Sequence, residues 1–258
     1  MAKLIILGSS YAIPSEDHQN THFVLSGESG DILVDCSGNT WIRYQQAGMD
    51  LDKLTDVILT HCHPDHISGI PSLLMNLWLT GRESLLRIHG LDHTLDCVEK
   101  MMALYNWQEW PDFFPVTFYS VTEQEFTPVL ENKDFLIFSS PVQHIIPTIG
   151  LRMECKKNGG VIAYSCDTEP CDRVVSLARG ASILLHETTG ASFGHSSASQ
   201  AGEIAQSAGV SSLYFIHYPP DLFGSQQMIE EASCYFEGEI QFARDLMRFR
   251  FPDTLPTE

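Results

Sequence analysis

The sequence predicts an α/β fold, an αββα sandwich in which two mixed β-sheets face each other with helices outside. Three observations lead there. Short apolar runs bounded by turn residues recur in both halves of the chain, the pattern of buried strands. Helical segments with recognisable stops alternate with them. No composition break divides the 258 residues, so 1–258 reads as a single domain with two β-rich halves packed on one another.

Taken in order, Leu4–Leu7 is a strand ending at Gly8-Ser9-Ser10. A polar loop, Tyr11 to Thr21, leads to the short strands His22–Ser26 and Asp31–Asp35, a hairpin around Gly27-Glu28-Ser29-Gly30. Thr40 to Gly48 is a short helix, and Val57–Leu59 a buried strand. The segment Ile67–Leu79 is helical, stopping by Gly81. Leu86–His89 is a strand and Asp92–Leu104 a helix; Trp107–Pro115 is aromatic, broken by Pro, and read as loop. The second half offers strands at Val116–Ser120 and Phe135–Ser139, then a hairpin, Ile149–Cys155 and Val161–Cys166, turning at Lys156–Gly160. A helix at Cys171–Ala178, a strand at Ser182–Leu185, a small polar loop at Gly190–Ser199, a helix at Ala198–Ala208 and a strand at Leu213–Ile216 follow. The tail supplies a helix near Met228–Phe236 and a strand near Ile240.

The composition, 43% hydrophobic and 19% charged, is that of a globular protein. No run approaches the ~18 apolar residues of a membrane span, and the start is too short for a signal peptide. Seven scattered cysteines without a C-x-x-C pair point to a reduced, cytoplasmic protein. The net charge of −18, from 15 basic and 33 acidic residues, argues against a broad nucleic-acid-binding surface. It leaves room for an anionic substrate at a metal site, where the ions dominate the local field. A homodimer is the base-rate expectation.

Function concentrates in Thr60-His61-Cys62-His63-Pro64-Asp65-His66. Three imidazoles and a carboxylate within six residues suit zinc and related cations, and a polar turn rarely spends three His where Ser or Asn would serve. On a tight turn, alternate residues point to one side. His61 and His63 can therefore share one ion while Asp65 and His66 turn toward a second. Cys62 should point away and pack. Three further ligand candidates follow apolar strands or short linkers: His144, Asp167 and His217. Asp35, closing a strand, reads either as an orienting partner for a ligating His or as a solvated strand end. His18, His22, His89 and His93 read as structural.

His-x-His-x-Asp-His followed by His144, Asp167 and His217 resembles the metallo-β-lactamase superfamily over nearly the whole chain. Cys166-Asp167-Thr168, Leu185-His186-Glu187-Thr188, Gly194-His195-Ser196-Ser197-Ala198, Phe215-Ile216-His217 and the opening Gly8-Ser9-Ser10 with Pro14 and Asn20 are similar to its ribonuclease Z branch. The resemblance implies the metallo-β-lactamase fold and two divalent ions, Zn2+ by default with Mn2+ or Fe2+ as substitutes. His61, His63 and His144 would hold the first ion, Asp65, His66 and His217 the second, and Asp167 would bridge them. Asp65 and His195 carry the catalytic assignment, with His195 acting on the leaving group, and His186 and Glu187 support. A water shared by the two ions, deprotonated near neutral pH, would attack a phosphodiester. His195 alternatively reads as a neighbour of the Ser196/Ser197 helix cap.

Three departures separate the chain from tRNA-processing members. The interval from His144 to Asp167, where a protruding tRNA-binding arm is expected, has room only for a tight hairpin. Tyr218-Pro219-Pro220-Asp221 stands where an Arg-Tyr segment is usual. Arg152, Lys156 and Lys157 are the sole dense basic cluster. Cys166 also replaces a usual Gly. The expected partner is thus a phosphodiester, small or cyclic in preference to an RNA 3′ end. The rival readings are a tRNA 3′-processing endoribonuclease, a thiolester or lactone hydrolase, and a non-catalytic metal-binding module.

Overall fold

The computed structural model describes residues 2–251. Its strands are β1 (Lys3–Gly8), β2 (His22–Ser26), β3 (Asp31–Val34), β4 (Leu54–Leu59), β5 (Leu86–Gly90), β6 (Val116–Ser120), β7 (Thr127–Glu131), β8 (Phe135–Pro141), β9 (Ile149–Cys155), β10 (Val161–Tyr164), β11 (Ile183–Glu187), β12 (Ser212–Ile216), β13 (Glu239–Phe242) and β14 (Arg248–Arg250). Its α-helices are α1 (Thr40–Gln46), α2 (Pro64–Ile67), α3 (Ile70–Leu79), α4 (Asp92–Ala103), α5 (Asp172–Ala178), α6 (Ala198–Ala208) and α7 (Gln226–Ser233).

The strands form two seven-stranded mixed sheets, in the orders β14-β1-β2-β3-β4-β5-β6 and β13-β12-β11-β10-β9-β8-β7. In the first, β1 to β3 are antiparallel and β3 to β6 parallel. The second repeats the plan: β7 to β10 antiparallel, β10 to β13 parallel.

Period-two alternation accounts for the four layers. Leu4, Ile6, Phe23, Leu25 and Ile58 point inward and meet Phe135, Ile137, Leu151, Ile162 and Leu185 of the other sheet. Ile5, Leu7, Val24, Val57 and Leu59 point outward to Tyr44, Leu73, Leu77 and Val98 of the helices on that side. Ala163, Leu184, Leu213 and Phe215 do the same toward Val174, Ala201, Ala205 and Ala232. The αββα sandwich is as the sequence predicts.

Two strands escaped the sequence reading, and both sit at sheet edges. In β7, Pro128 and half-exposed neighbours interrupt any apolar run; β14 is a three-residue Arg-Phe-Arg segment. An edge strand needs neither two buried faces nor every ladder donor, so it lacks the signal of a central one. The Trp107–Pro115 stretch contains a short 3-10 turn, Trp107–Glu109, and its half-buried aromatics pack against the outer core: Trp110 stacks on Trp78 with ring centroids 5.0 Å apart. Between β9 and β10 there is only the turn at 156–160. Arg152 bonds Glu154 and the carbonyls of Leu177 and Arg179, and Lys156 pairs with Glu131, so these cations of the basic cluster are engaged by the fold itself. Among the described residues, no helix is long and apolar enough to cross a membrane.

Candidate metal centre

The residues of interest lie just beyond the C-terminal ends of strands, where stiff backbone fixes a side chain. β3 runs into Asp35 and β4 into Thr60-His61; β8 is followed by His144, β10 by Asp167 and β12 by His217, while Glu187 ends β11. The register between β10, β11 and β12 aligns Tyr164, Leu185 and Tyr214 and brings the last three strand ends level. Asp35, Cys166 and His217 adopt left-handed backbone, with φ of 58°, 56° and 53°. Such non-glycine conformations cost about 1–2 kcal/mol each and gather at functional sites. Cys166 thus retains the backbone geometry for which glycine is the usual choice.

Within the His61–His66 loop, Pro64 opens α2 at its first position, where a fixed φ and a missing N–H suit a helix start. Asp65 and His66 therefore sit on a short helical turn, where the sequence suggests a tight turn in the loop before the helix. The outcome for direction is similar. His61, His63, His144 and Asp167 each offer a ligand atom within 4.8 Å of the others, and so do Asp65, His66, Asp167 and His217. Asp167 belongs to both groups, and all seven residues converge. Cys62 turns away from these histidines toward His93.

The separations fit a cation better than hydrogen bonding. Nδ1 of His63 lies 3.1 Å from Nε2 of His61 and 3.2 Å from Nε2 of His144. Nε2 of His217 is 3.3 Å from Asp65 and 3.4 Å from Asp167, and Nε2 of His66 is 3.5 Å from each. A tetrahedral zinc with 2.0–2.1 Å bonds has ligand atoms about 3.4 Å apart. Nε2 of His66 and Oδ1 of Asp167 are buried without a hydrogen-bond partner, facing one another at a distance too long for a good bond. A divalent cation between them would satisfy both.

Outer contacts set the ring tautomers. His66 Nδ1 donates to Oδ2 of Asp35 at 2.8 Å, since an ionised carboxylate only accepts, and Asp35 is in turn held by Thr60 N and Oγ1. His144 Nδ1 donates to the carbonyl of Gly194 at 2.7 Å. Thr189 gives its hydroxyl proton to the carbonyl of His217 and accepts from Nδ1 of the same residue at 2.9 Å. Where such a ring is neutral, Nε2 keeps its lone pair toward the centre, the arrangement usual for metal histidines. Burial lowers the pKa of His61, His63 and His144, holding them in the neutral, ligating form. Burial opposes charge on Asp167 and on His66. The imidazoles of His217 and His66 outweigh it and keep the Asp167 carboxyl well below its ordinary value; Asp167 and Asp35 raise His66.

His195 stands beside this cluster, its ring 5.1 Å from that of His144 and 6.0 Å from that of His217 between centroids. Its Nδ1 donates to Glu187 Oε1 at 3.0 Å. Glu187 is fully buried and also accepts from the backbone N–H groups of Thr168, Ser196 and Thr189. The helix-cap function falls to Ser197, whose side chain forms a capping box with Gln200, leaving His195 outside the cap. His186 is buried, bonds the carbonyl of Glu187 through Nδ1, and joins neither ligand group. His18 contacts Ser9 and Tyr218, and His22 contacts Asn20 and Ser37, so both serve the scaffold. Thr60, Thr189 and Gly194 were missed from the sequence. The signal available was general: each ligating His needs something to hold its other nitrogen.

Comparison with known proteins agrees with this geometry. A family described as Beta-lactamase superfamily domain matches residues 31–218. The chain is 28% identical to a ribonuclease Z of Methanothermobacter thermautotrophicus, with 92% of each chain covered. Human tRNase Z, short form (ELAC1), superposes with a TM-score of 0.78 at 22% identity, over 97% of this chain and 99% of that one. A diphosphatase from the PhnP family superposes with a TM-score of 0.75 at 19% identity, over 99% and 100%. With the fold, the converging His and Asp side chains and this match in agreement, the chain belongs to the beta-lactamase superfamily and is a ribonuclease Z-like metal-binding hydrolase.

Proposed function

We propose that the protein is a dinuclear metal phosphodiesterase acting on a small or cyclic phosphodiester, with 1–258 working as one domain because both sheets contribute to one centre. The single observation that carries this reading is the convergence of seven ligand side chains with Asp167 common to both groups. His61, His63 and His144 would hold one ion, Asp65, His66 and His217 the other, and Asp167 would join them. Zn2+ is the default for such a set, and Mn2+ or Fe2+ suit it too. When bound, the ions supply Lewis acidity to the phosphoryl group and lower the pKa of water. Every other task falls to the chain. Asp35, Thr189 and the Gly194 carbonyl orient the imidazoles, and Asp65 and Asp167 bring the negative charge that two cations require. His195, anchored through Nδ1 by Glu187, keeps Nε2 to hold the proton that the departing oxygen needs.

The short β9–β10 turn and the engaged Arg152 and Lys156 favour a small substrate over pre-tRNA. The ribonuclease Z relative, aligned over nearly its full length, favours the second reading, a tRNA 3′-processing endoribonuclease. All seven cysteines are free, in keeping with a reducing compartment such as the cytoplasm. The test is turnover of bis-p-nitrophenyl phosphate, a cyclic phosphodiester and a pre-tRNA against a thiolester and lactone panel, with Zn2+ and with Mn2+. Cleavage of the small diesters above the others supports the proposal. Preference for pre-tRNA selects the second reading, and thiolester or lactone turnover alone overturns both. Metal uptake with no turnover of any substrate would leave a binding module.

A further inference from the structure

A third group of metal-ligating side chains lies outside the centre just described. Cys62 stands between His61 and His63, but its side chain leaves the loop on the far side. There its Sγ lies 3.3 Å from Nε2 of His93. His93 and Cys97 are four residues apart on α4 and so share one helix face. One ligand atom from each of Cys62, His93 and Cys97 lies within 4.8 Å of the other two. The two cysteines are half-buried against the outer core between the first sheet and its helices, whereas His93 is exposed. Two thiols and an imidazole are a soft donor set, of a kind the His/Asp centre does not offer. With Zn–S near 2.3 Å and Zn–N near 2.0–2.1 Å, a tetrahedral ion places sulfur and nitrogen about 3.6 Å apart, close to the observed separation.

We propose that Cys62, His93 and Cys97 form a separate site for a thiophilic divalent cation of the zinc class, open to solvent at its fourth position, which ties the His61–His66 loop to α4. Uptake of the ion sends two thiol protons to solvent and sets two thiolate charges against the dication, so no oxidant or reductant is needed. The site holds the backbone of Cys62, and hence the carriers of His61 and His63, from the side opposite the His/Asp centre.

Cobalt titration of the full chain under a phosphine reductant tests this. Thiolate-to-cobalt charge transfer gives a near-ultraviolet band that imidazole and carboxylate ligands cannot produce. Cys166, buried 3.6 Å from Nδ1 of His61, is the other sulfur near a ligand cluster, so Cys166→Ser serves as the control. The expected result is a band in the parent and in Cys166→Ser, absent in Cys97→Ser, which binds one equivalent fewer. Exposed His93→Gln, a change that spares the core, should weaken the band in the same way and covers the case in which Cys97→Ser does not fold. A band of undiminished intensity in Cys97→Ser or in His93→Gln, or a parent with no band, overturns the proposal.

Discussion

Nδ1 of His195 lies 3.0 Å from Oε1 of Glu187, a carboxylate with no exposed surface. The same oxygen accepts from the backbone of Ser196, so one buried group fixes both the ring and the loop that carries it. This is the geometry of the base-and-orienter pairing of hydrolytic sites, and under the proposed function it would serve as a proton donor and its anchor.

His195→Ala is expected to lower kcat on a phosphodiester by about 10²–10⁴-fold, the usual worth of a positioned acid or base. Glu187→Gln keeps the shape and removes the charge. Burial works to lower the pKa of His195, but the hydrogen bond and charge of Glu187 prevail and raise it above the ordinary value. Without that charge the pKa falls. The alkaline limb of the kcat profile, where the ring loses the proton it must donate, then moves to lower pH. Profiles of the parent and Glu187→Gln measure this; a limb that stays in place removes Glu187 from the proton chemistry.

Asp35 tests whether an outer carboxylate sets metal affinity. Asp35→Asn can keep the left-handed backbone, which Asn tolerates, and can still accept from Thr60 N. It loses the charged acceptor for His66 Nδ1. Metal affinity is expected to fall by about 10–100-fold with the fold intact, measured by competition with a chelator and by circular dichroism. Equal affinity in the two proteins would mean that His66 is oriented by other contacts.

How much of this was legible in the sequence depends on how local each signal is. The His61–His66 loop declares itself within six residues. His144, Asp167 and His217 become readable because each follows an apolar strand or its linker, and strand ends are where ligands can be fixed. The central position of Glu187 is hidden, because its partners Thr168, Thr189, His195 and Ser196 are brought to it only by the β10–β11 register and the loop before α6. The Gly194 carbonyl that holds His144 is a backbone atom and leaves no side-chain signature. Cys166 shows only an unusual residue in the sequence; its φ supplies the reason a glycine would serve there.

Gly194 gives a second route to His144. Its φ of +82° disfavours any side chain, and an added Cβ would come within 2.8 Å of Ile145 Cγ1 and 2.9 Å of His144 Nδ1. Gly194→Ala should therefore cost about 1–2 kcal/mol of local strain and push the His144 ring off its carbonyl partner. The expected readout is weaker metal binding and reduced turnover with only a small drop in Tm. Unchanged metal affinity would show that the loop can yield without moving His144.

Away from the site, Asp56 on β4 offers a test of stability. Its carboxylate is buried and accepts from Arg87 at 2.7 and 2.6 Å and from His89 at 2.8 Å, both on the neighbouring β5. Burial alone would raise its pKa, but the bonds from His89 and Arg87 prevail and hold it down at about 2. An unfolded Asp titrates near 3.9. The folded carboxyl is thus the stronger acid. Its stabilising contribution is complete above the unfolded value and is lost as pH falls through about 2. Asp56→Asn removes the charge at every pH, so it should cost about 1.5–3 kcal/mol in all near neutrality. The deficit should shrink as the parent is acidified and its own carboxylate protonates. Urea unfolding of both proteins from pH 7 to pH 2, with chelator throughout so that loss of cations does not add to the slope, measures the difference. A deficit that is constant over that range would mean that Asp56 acts through shape and not through charge.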